Sequence, residues 1–549
     1  MSKGVPSDTS ILALANDKGS SSMGKFDAIV IGSGLGGLTA GALYARAGHR
    51  VLVLERNDNF GGAATVYRHG GLAIEASLHA IDGLDEADVK LPVLRSLGLD
   101  KKLSFIDVGN LYEVRGPIIG TPFALPHGMD AAYRALAERF PRHADALREY
   151  LQRIAATREA VRFAASHQDD TGWWLRHAPE AVSQVWPLIR EGHATVGEVL
   201  GELFGADEAV KAAVAANLGY FHDDPDRMSF LSYAIPQASY LMGGGHYLRG
   251  GSAALTNALV AIIRDAGGVV EAGREVDTLL VNFTGFSGVR HRARGGEDVQ
   301  FDYAPVAFGN AAPQRLAEML PESVREHFAA QYTRRSLSIS LWTVSIGLDR
   351  PASEFGVRHY STFILPKWMT ALSGLCESSA VIAQPDGNRL PPYVFVDYQR
   401  VDSGLNASAP YLGSFCGIDR IENWHGLNSW EKTRRKEHWM DRLIEDLDRE
   451  FPGIASAVVH REMSTAETFE HYLNTPGGAV YGFAPEGGVA DVFSFSPRTR
   501  VQNLWLASAY TFGGGFTGAM LGGAAAVRQA LKVSAPRDLS DGAARFDSR

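Results

Sequence analysis

Whole classes of function are excluded by what this chain lacks. It has two cysteines in 549 residues, Cys376 and Cys416, with no CxxC pair and no spacing suited to a metal centre. A disulfide framework is excluded by the count, no metal site is expected, and a reducing compartment fits. The expected location is cytoplasmic, with peripheral attachment to a membrane left open. No apolar run approaches the ~18 residues that a spanning helix needs. The 53 lysines and arginines stand against 62 aspartates and glutamates, a net charge of -9. Binding a phosphate backbone draws on a basic surplus, so nucleic acid is excluded as a partner.

What is present is an ordinary globular composition, 45% hydrophobic and 21% charged, on a chain too long for one core. Residues 1–24 hold one short apolar patch, ILALA, too little for a secretory signal, and are expected to form a disordered leader. Residues 533–549 read as a polar tail.

The first ordered unit is FDAIVIG, a glycine turn, the helical LTAGALYARAG and the strand HRVLVLE. Almost continuous apolar runs at Ala28–Ile31 and Val51–Leu54 are what strands buried on both faces require. Between them, Gly32-Ser33-Gly34-Leu35-Gly36-Gly37 is a GxGxxG motif. Gly32 permits the tight turn, Gly34 lets backbone approach a pyrophosphate, and Gly37 lets the helix pack closely on the strand. The amides at the helix start can bind an anion. Glu55 closes the second strand, where a carboxylate accepts from ribose hydroxyls. Arg56 next to it is expected beside the adenosine, because Glu55 would repel a 2′-phosphate. FAD and NAD both fit up to this point. The pair Gly61-Gly62 begins to separate them, since a flavin arm needs further close-lying backbone while a plain NAD fold does not; an ordinary turn is the bland alternative.

The stretches ERNDNFGGAAT, YLRGGSAALTNAL (Tyr247–Leu259), GREVDTLLV (Gly273–Val281), FGNAAP (Phe308–Pro313) and NLWLASAYTFGGGFTGAMLGGAAA (Asn503–Ala526) occur in this order. Together they resemble the flavoprotein superfamily of carotenoid desaturases, carotenoid isomerases and retinol saturases, which is related to the flavin amine oxidases. RFPRHADALREYL (Arg139–Leu151) and HYLNTPGGAVYGFAP (His471–Pro485) are most similar to its isomerase and saturase branch. Amine oxidases and many desaturases carry arginine after the glycine pair, and this chain has Ala63.

The resemblance implies an α/β protein: a Rossmann-like FAD-binding domain of the glutathione-reductase type with an inserted α+β substrate domain. Residues 25–95, 243–313 and 500–532 would form the first, and residues 96–242 and 314–499 the second. The resemblance implies FAD contacts at Gly32, Ser33, Gly34, Leu35, Gly36, Gly37, Glu55, Arg56, Gly62, Ala63, Ala64, Ser77, Val276, Asn310, Ser508, Ala509, Gly515, Phe516 and Thr517. Many relatives place an acid where this chain has Leu506–Ala509, and Ser508 is expected to substitute for it. A helix beginning at Gly515–Thr517 would stabilise negative charge on a reduced flavin.

Candidate reacting groups are His79, whose imidazole titrates near neutrality, with Tyr481 and His471 as outside candidates. A structural histidine is the competing reading of His79. The implied activity is FAD-dependent redox or isomerisation chemistry on carbon–carbon double bonds of a long apolar polyene, carotenoid- or retinoid-like. The alternatives are a flavin amine oxidase, a fatty-acid double-bond isomerase, and a prenyl-binding escort protein without flavin chemistry. Trp173, Trp174 and Trp186, in the helical stretch Thr171–Gly205, are expected in the core, with a lipid-facing surface as the second reading.

Overall fold

Five apolar strands form a wholly parallel sheet in the order Val269–Glu271, Val51–Leu54, Ala28–Ile31, Val306–Gly309 and Leu504–Leu506. They are contributed by the beginning, middle and end of the chain. The computed structural model describes residues 25–166, 171–488 and 496–534, so the expected leader and nearly all of the tail lie outside the described residues. Register decides what the sheet can do. Glu271 lies beside Leu54, Leu54 beside Ile31, Ile31 beside Gly309, and Gly309 beside Leu506. All five strands therefore end at one level, and the loops that follow them emerge along one edge, where open α/β sheets bind ligands.

The helix Leu35–Arg46 packs against the helices Ser252–Asp265 and Gly515–Ser534. Small residues make the approach close. A Cβ on Gly36 would overlap the Ala507 carbonyl, and one on Gly523 would overlap the carbonyl of Gly36.

The remaining chain builds a seven-stranded sheet in the order Val458–Ser464, Ser340–Leu348, Tyr411–Asp419, Tyr393–Asp397, Ser361–Ile364, Tyr112–Arg115 and Phe123–Leu125. Its pairings are antiparallel except that between Ser361–Ile364 and Tyr112–Arg115. The helix Ser429–Glu450 lays Trp439, Met440, Leu443, Ile444 and Leu447 on this sheet, and its first turn is closed by a capping box between Asn428 and Glu431. A helical layer including Ala144–Ser166, Ala178–Arg190, Val196–Phe204 and Phe230–Gly243 stands beside it. The short strand Phe105–Asp107 pairs with Gly245–Leu248, so the boundary at residue 96 is crossed by a sheet contact.

The core reading of the tryptophans needs correction. Trp186 is 55% exposed, with Val182 at 51% and Ile189 at 52%. The helix Ala178–Arg190 faces Ala144–Ser166 through Ala181 and Leu188, which turns the row at 182, 186 and 189 outward. Trp173 and Trp174 are half-buried, Trp173 stacking on His177 at 4.7 Å between centroids.

Candidate active site

Glu55 is the fixed point of the strand-end cradle. It is buried, and its Oε2 accepts from the Ser33 amide at 2.8 Å and the Ser33 hydroxyl at 2.7 Å, while Oε1 accepts from the Asn57 amide at 2.8 Å. The Gly61 amide donates to the Ser33 carbonyl at 3.0 Å, so the two glycine loops are tied to each other. Gly61 and Gly62 sit at φ +109° and +59°, which makes this pair a backbone requirement. Gly34 caps the helix Leu35–Arg46 without a side-chain bond, leaving first-turn amides for an anion. A Cβ on Gly37 would overlap the Gly32 carbonyl, as close helix–strand packing predicts.

The other strand ends complete the rim. Asn310 donates its amide N–H to the Ile31 carbonyl at 2.8 Å and its side-chain Nδ2 to the Ala507 carbonyl at 2.7 Å, bracing three strand ends. Ser508 is buried, and its hydroxyl accepts from the Tyr510 amide at 3.3 Å. It caps the turn Ala509–Phe512 with one lone pair and keeps its O–H donor, and it lines the same rim. The helix Gly515–Ser534 begins at the glycine run, and the Thr517 hydroxyl donates to Asp82 Oδ1 at 2.6 Å. Asp82 was not expected from sequence. It lies 3.6 Å from Lys90 Nζ, and Lys90, 1% exposed, also pairs with Asp88. This buried charge set fixes the Thr517 rotamer; no motif marks it, because its members follow no recognised spacing.

A single cavity of about 2610 Å³ joins these groups. Gly32, Gly34, Leu35, Gly36, Glu55, Arg56, Gly62, Ala63, Ala64, Ser77, Val276, Asn310, Ser508, Ala509, Gly515, Phe516 and Thr517 all line it, with His79 and Tyr481. Ser33, Gly37 and His471 do not; the first two act behind the wall through Glu55 and the helix start. An extended dinucleotide fits this cradle on the structure's own terms. The glycine loops offer backbone at close approach, and Arg56 Nε is buried without a hydrogen-bond partner among the described residues.

The stretch beneath the cavity is bolted in place. Glu75 is buried and accepts from the Ser252 amide at 2.8 Å, the Ser252 hydroxyl at 2.6 Å and the Tyr247 hydroxyl at 3.2 Å. Ser77 donates to the Ala63 carbonyl at 2.7 Å, which joins this stretch to the second glycine loop. His79 follows. Its Nδ1 lies 2.7 Å from the Tyr220 hydroxyl, its carbonyl accepts from Tyr360 at 2.6 Å, and desolvation lowers its pKa to about 4. It is therefore a neutral imidazole near pH 7. Tyr481 packs against Gly514, where a Cβ would overlap its ring, and burial raises its phenol pKa. His471 is exposed on the helix Ala466–Leu473 and serves through its carbonyl, which accepts from Arg56. An acid–base role for His471 is withdrawn, because the helix turns its ring to the surface.

Much of the remaining cavity lining is apolar, with Arg158, Arg162, Asn217, Ser232 and Ser239 among it. Tyr220 meets Phe363 edge-on at 5.4 Å, and Val161, Phe221, Met228, Ile235 and Leu341 continue the lining.

Comparison with known proteins agrees with this geometry. The chain is 23% identical over 529 residues to all-trans-retinol 13,14-reductase of Danio rerio, covering 90% of this chain and 84% of that protein. It is 24% identical over 542 residues to the neurosporene-forming phytoene desaturase of Cereibacter sphaeroides, covering 93% and 95%. The structure of an oxidoreductase from Methanosarcina mazei superposes with a TM-score of 0.60 at 16% identity, covering 92% of this chain and 99% of that one. The sequence model of flavin containing amine oxidoreductases matches residues 35–531. With residues 35–531 matched, the chain belongs to the flavin containing amine oxidoreductase family and is an FAD-dependent enzyme.

Proposed function

We propose that the protein is an FAD-dependent oxidoreductase or isomerase that acts on carbon–carbon double bonds of a long apolar polyene, retinoid- or carotenoid-like. The observation that carries this reading is the continuity of the cavity. Small-molecule pockets occupy roughly 300–1,000 Å³, whereas this one is about 2610 Å³ and passes from the strand-end cradle into a largely apolar chamber. It has room for a dinucleotide and an extended hydrocarbon end to end.

FAD, when bound, supplies the two-electron chemistry of desaturation, saturation or a redox-neutral shift. The chain's own residues do the rest. Glu55 and the two glycine loops hold the nucleotide half, and the start of Gly515–Ser534 directs amides at the other half. Neutral His79, hydrogen-bonded to Tyr220, presents an uncharged polar edge where the cradle opens into the chamber. The apolar lining excludes water and orients the chain. An ammonium substrate would call for a countercharge, and Asp82 and Asp88 are both committed to Lys90. In this reading residues 25–95, 243–313 and 500–532 form the FAD-binding unit, and residues 96–242 and 314–499 form the substrate unit.

The test is anaerobic incubation of the flavin-loaded protein with retinoids, carotenoids and unsaturated fatty acids, following flavin absorbance and product mass. A change of two hydrogens or a shifted double bond in a polyene supports the reading. Turnover of amines alone overturns it.

No helix among the described residues is long and apolar enough to cross a membrane. An apolar substrate is drawn from lipid, and the outward row Val182, Trp186 and Ile189 lies on the helix packed against Ala144–Ser166, whose Val161, Arg162 and Ser166 line the cavity. The row is the proposed contact with a membrane surface. Trp186→Glu should reduce co-flotation with liposomes several-fold while leaving flavin content unchanged; equal flotation of both proteins removes the contact.

A further inference from the structure

Away from the cavity, a hairpin and a sheet edge bring together two imidazoles and a carboxylate that belong to no part of the flavin site. The hairpin Val66–His69 and Leu72–Glu75 turns at Gly70-Gly71. Its turn abuts Val458–Ser464, the outermost strand of the seven-stranded sheet. A Cβ on Gly70, at φ +55°, would lie 2.7 Å from His460 Nδ1. His460 and Glu462 alternate on that strand and so share one face. His69 reaches them from the hairpin, its Nδ1 2.6 Å from Glu462 Oε2. His460 Nε2 lies 4.0 Å from the same oxygen. The three ligand atoms all fall within 4.8 Å of one another.

Three details separate this set from an ordinary ion pair. His460 Nε2 is buried without a hydrogen-bond partner among the described residues, an unpaired ring nitrogen beside a carboxylate. The other oxygen of Glu462 accepts from the Tyr67 hydroxyl, which orients the carboxylate as outer-shell partners of metal ligands do. The His69 side chain is 61% exposed, so the set has both an entry path and one ring free to adjust. Zinc–ligand bonds of about 2.0–2.2 Å imply tetrahedral ligand separations of roughly 3.3–3.6 Å. Rotation of the exposed His69 ring opens its short approach to Glu462 toward that range.

We propose that His69, His460 and Glu462 bind a divalent transition metal of the zinc type, with one coordination position open to solvent. The ion would clamp the Val66–Glu75 hairpin to the sheet edge. The same hairpin leads into Glu75 and His79, so the clamp would steady the segment beneath the cavity. Spacing hid the site, because an H-x-E pair is common and His69 is far from it in the chain.

The experiment uses full-length protein stripped of metal with EDTA, titrated with zinc by calorimetry and with cobalt by visible absorbance. Stoichiometric binding with d–d bands of a low-coordinate nitrogen–oxygen site is expected. His69→Ala and Glu462→Gln should each weaken zinc more than tenfold, and Tyr67→Phe should weaken it about tenfold through the lost orientation. His69 is exposed, so His69→Ala tests the site without threatening the fold, and circular dichroism checks the others. No binding up to roughly millimolar zinc, or equal affinity in His69→Ala and Glu462→Gln, overturns the proposal.

Discussion

Replacing Glu55 by glutamine tests how the two glycine loops are held. The carboxylate takes three donors: the Ser33 amide and hydroxyl on one oxygen and the Asn57 amide on the other. Glutamine keeps a single acceptor oxygen. If that oxygen stays with Asn57, the new NH2 group can donate to the Ser33 hydroxyl, but it faces the Ser33 N–H donor to donor. The opposite flip strands Asn57. Either way one buried N–H loses its acceptor, at about 1–3 kcal/mol, and the surviving bonds lose their charge assistance. A loss of about 2–4 kcal/mol in cradle preorganisation follows, and each ~1.4 kcal/mol is tenfold in affinity.

Flavin fluorescence titration of apoprotein should therefore show FAD binding weakened by roughly 30-fold to 1,000-fold in Glu55→Gln. Ser33→Ala removes only the hydroxyl and should cost about 1 kcal/mol, or roughly fivefold. Hydrogen exchange on flavin-free protein separates preorganisation from direct ribose contact, since amides of the Gly61–Ala64 turn should exchange faster in Glu55→Gln before any cofactor is added. Wild-type exchange in that turn together with FAD affinity within threefold would refute the loop-holding role.

Three further outcomes follow from the buried groups. Lys90→Met leaves Asp82 and Asp88 buried without their cation, which should destabilise the protein by about 3–5 kcal/mol and loosen Thr517; an unchanged thermal midpoint refutes the charge set. His79 has its folded pKa lowered to about 4 from a usual value of 6.5. Its stabilising contribution is therefore present above pH 6.5 and lost as pH falls toward 4, to an upper limit of about 3 kcal/mol, reduced because the ring opens on the cavity. His79→Gln should flatten the loss of thermal stability between about pH 7 and 5, and a curve parallel to wild type contradicts the neutral imidazole. Gly36→Ala pushes a methyl into the Ala507 carbonyl and should cost about 1–3 kcal/mol with reduced flavin retention on gel filtration; full retention shows that the helix start can give way.

The nucleotide half was legible in sequence because its requirements are local. Strands Ala28–Ile31, Val51–Leu54 and Val269–Glu271 lie where apolar runs put them, since strands buried on both faces have no polar alternation to confuse. Gly61 and Gly62 announce themselves because only glycine tolerates that backbone cheaply. The C-terminal helix begins at Gly515, the last residue of the glycine run. What stayed hidden is non-local. Lys90 is an ordinary surface residue by composition, and only the fold shows it 1% exposed between two carboxylates. His471 and Trp186 were misread for the same reason: residue type states what a side chain can do, and helix rotation decides what it faces.

That distinction bears on the chemistry. Glu75 spends its oxygens on Ser252, Tyr247 and the Leu78 amide, His79 is neutral, and Tyr481 has its phenol raised by burial. Along this wall the groups that sequence offered as acids and bases hold structure or stay uncharged. A site for an amine or a carboxylate would need an unspent charge here, because burying an ionic substrate unpaired costs several kcal/mol. A hydrocarbon needs none, and its reactivity can be left to the flavin and to alignment. Ala63 belongs to the same logic: it lines the cavity with a methyl where an arginine would introduce a cation, and its carbonyl is fixed by Ser77. The second glycine loop therefore presents a small, neutral edge to the cavity.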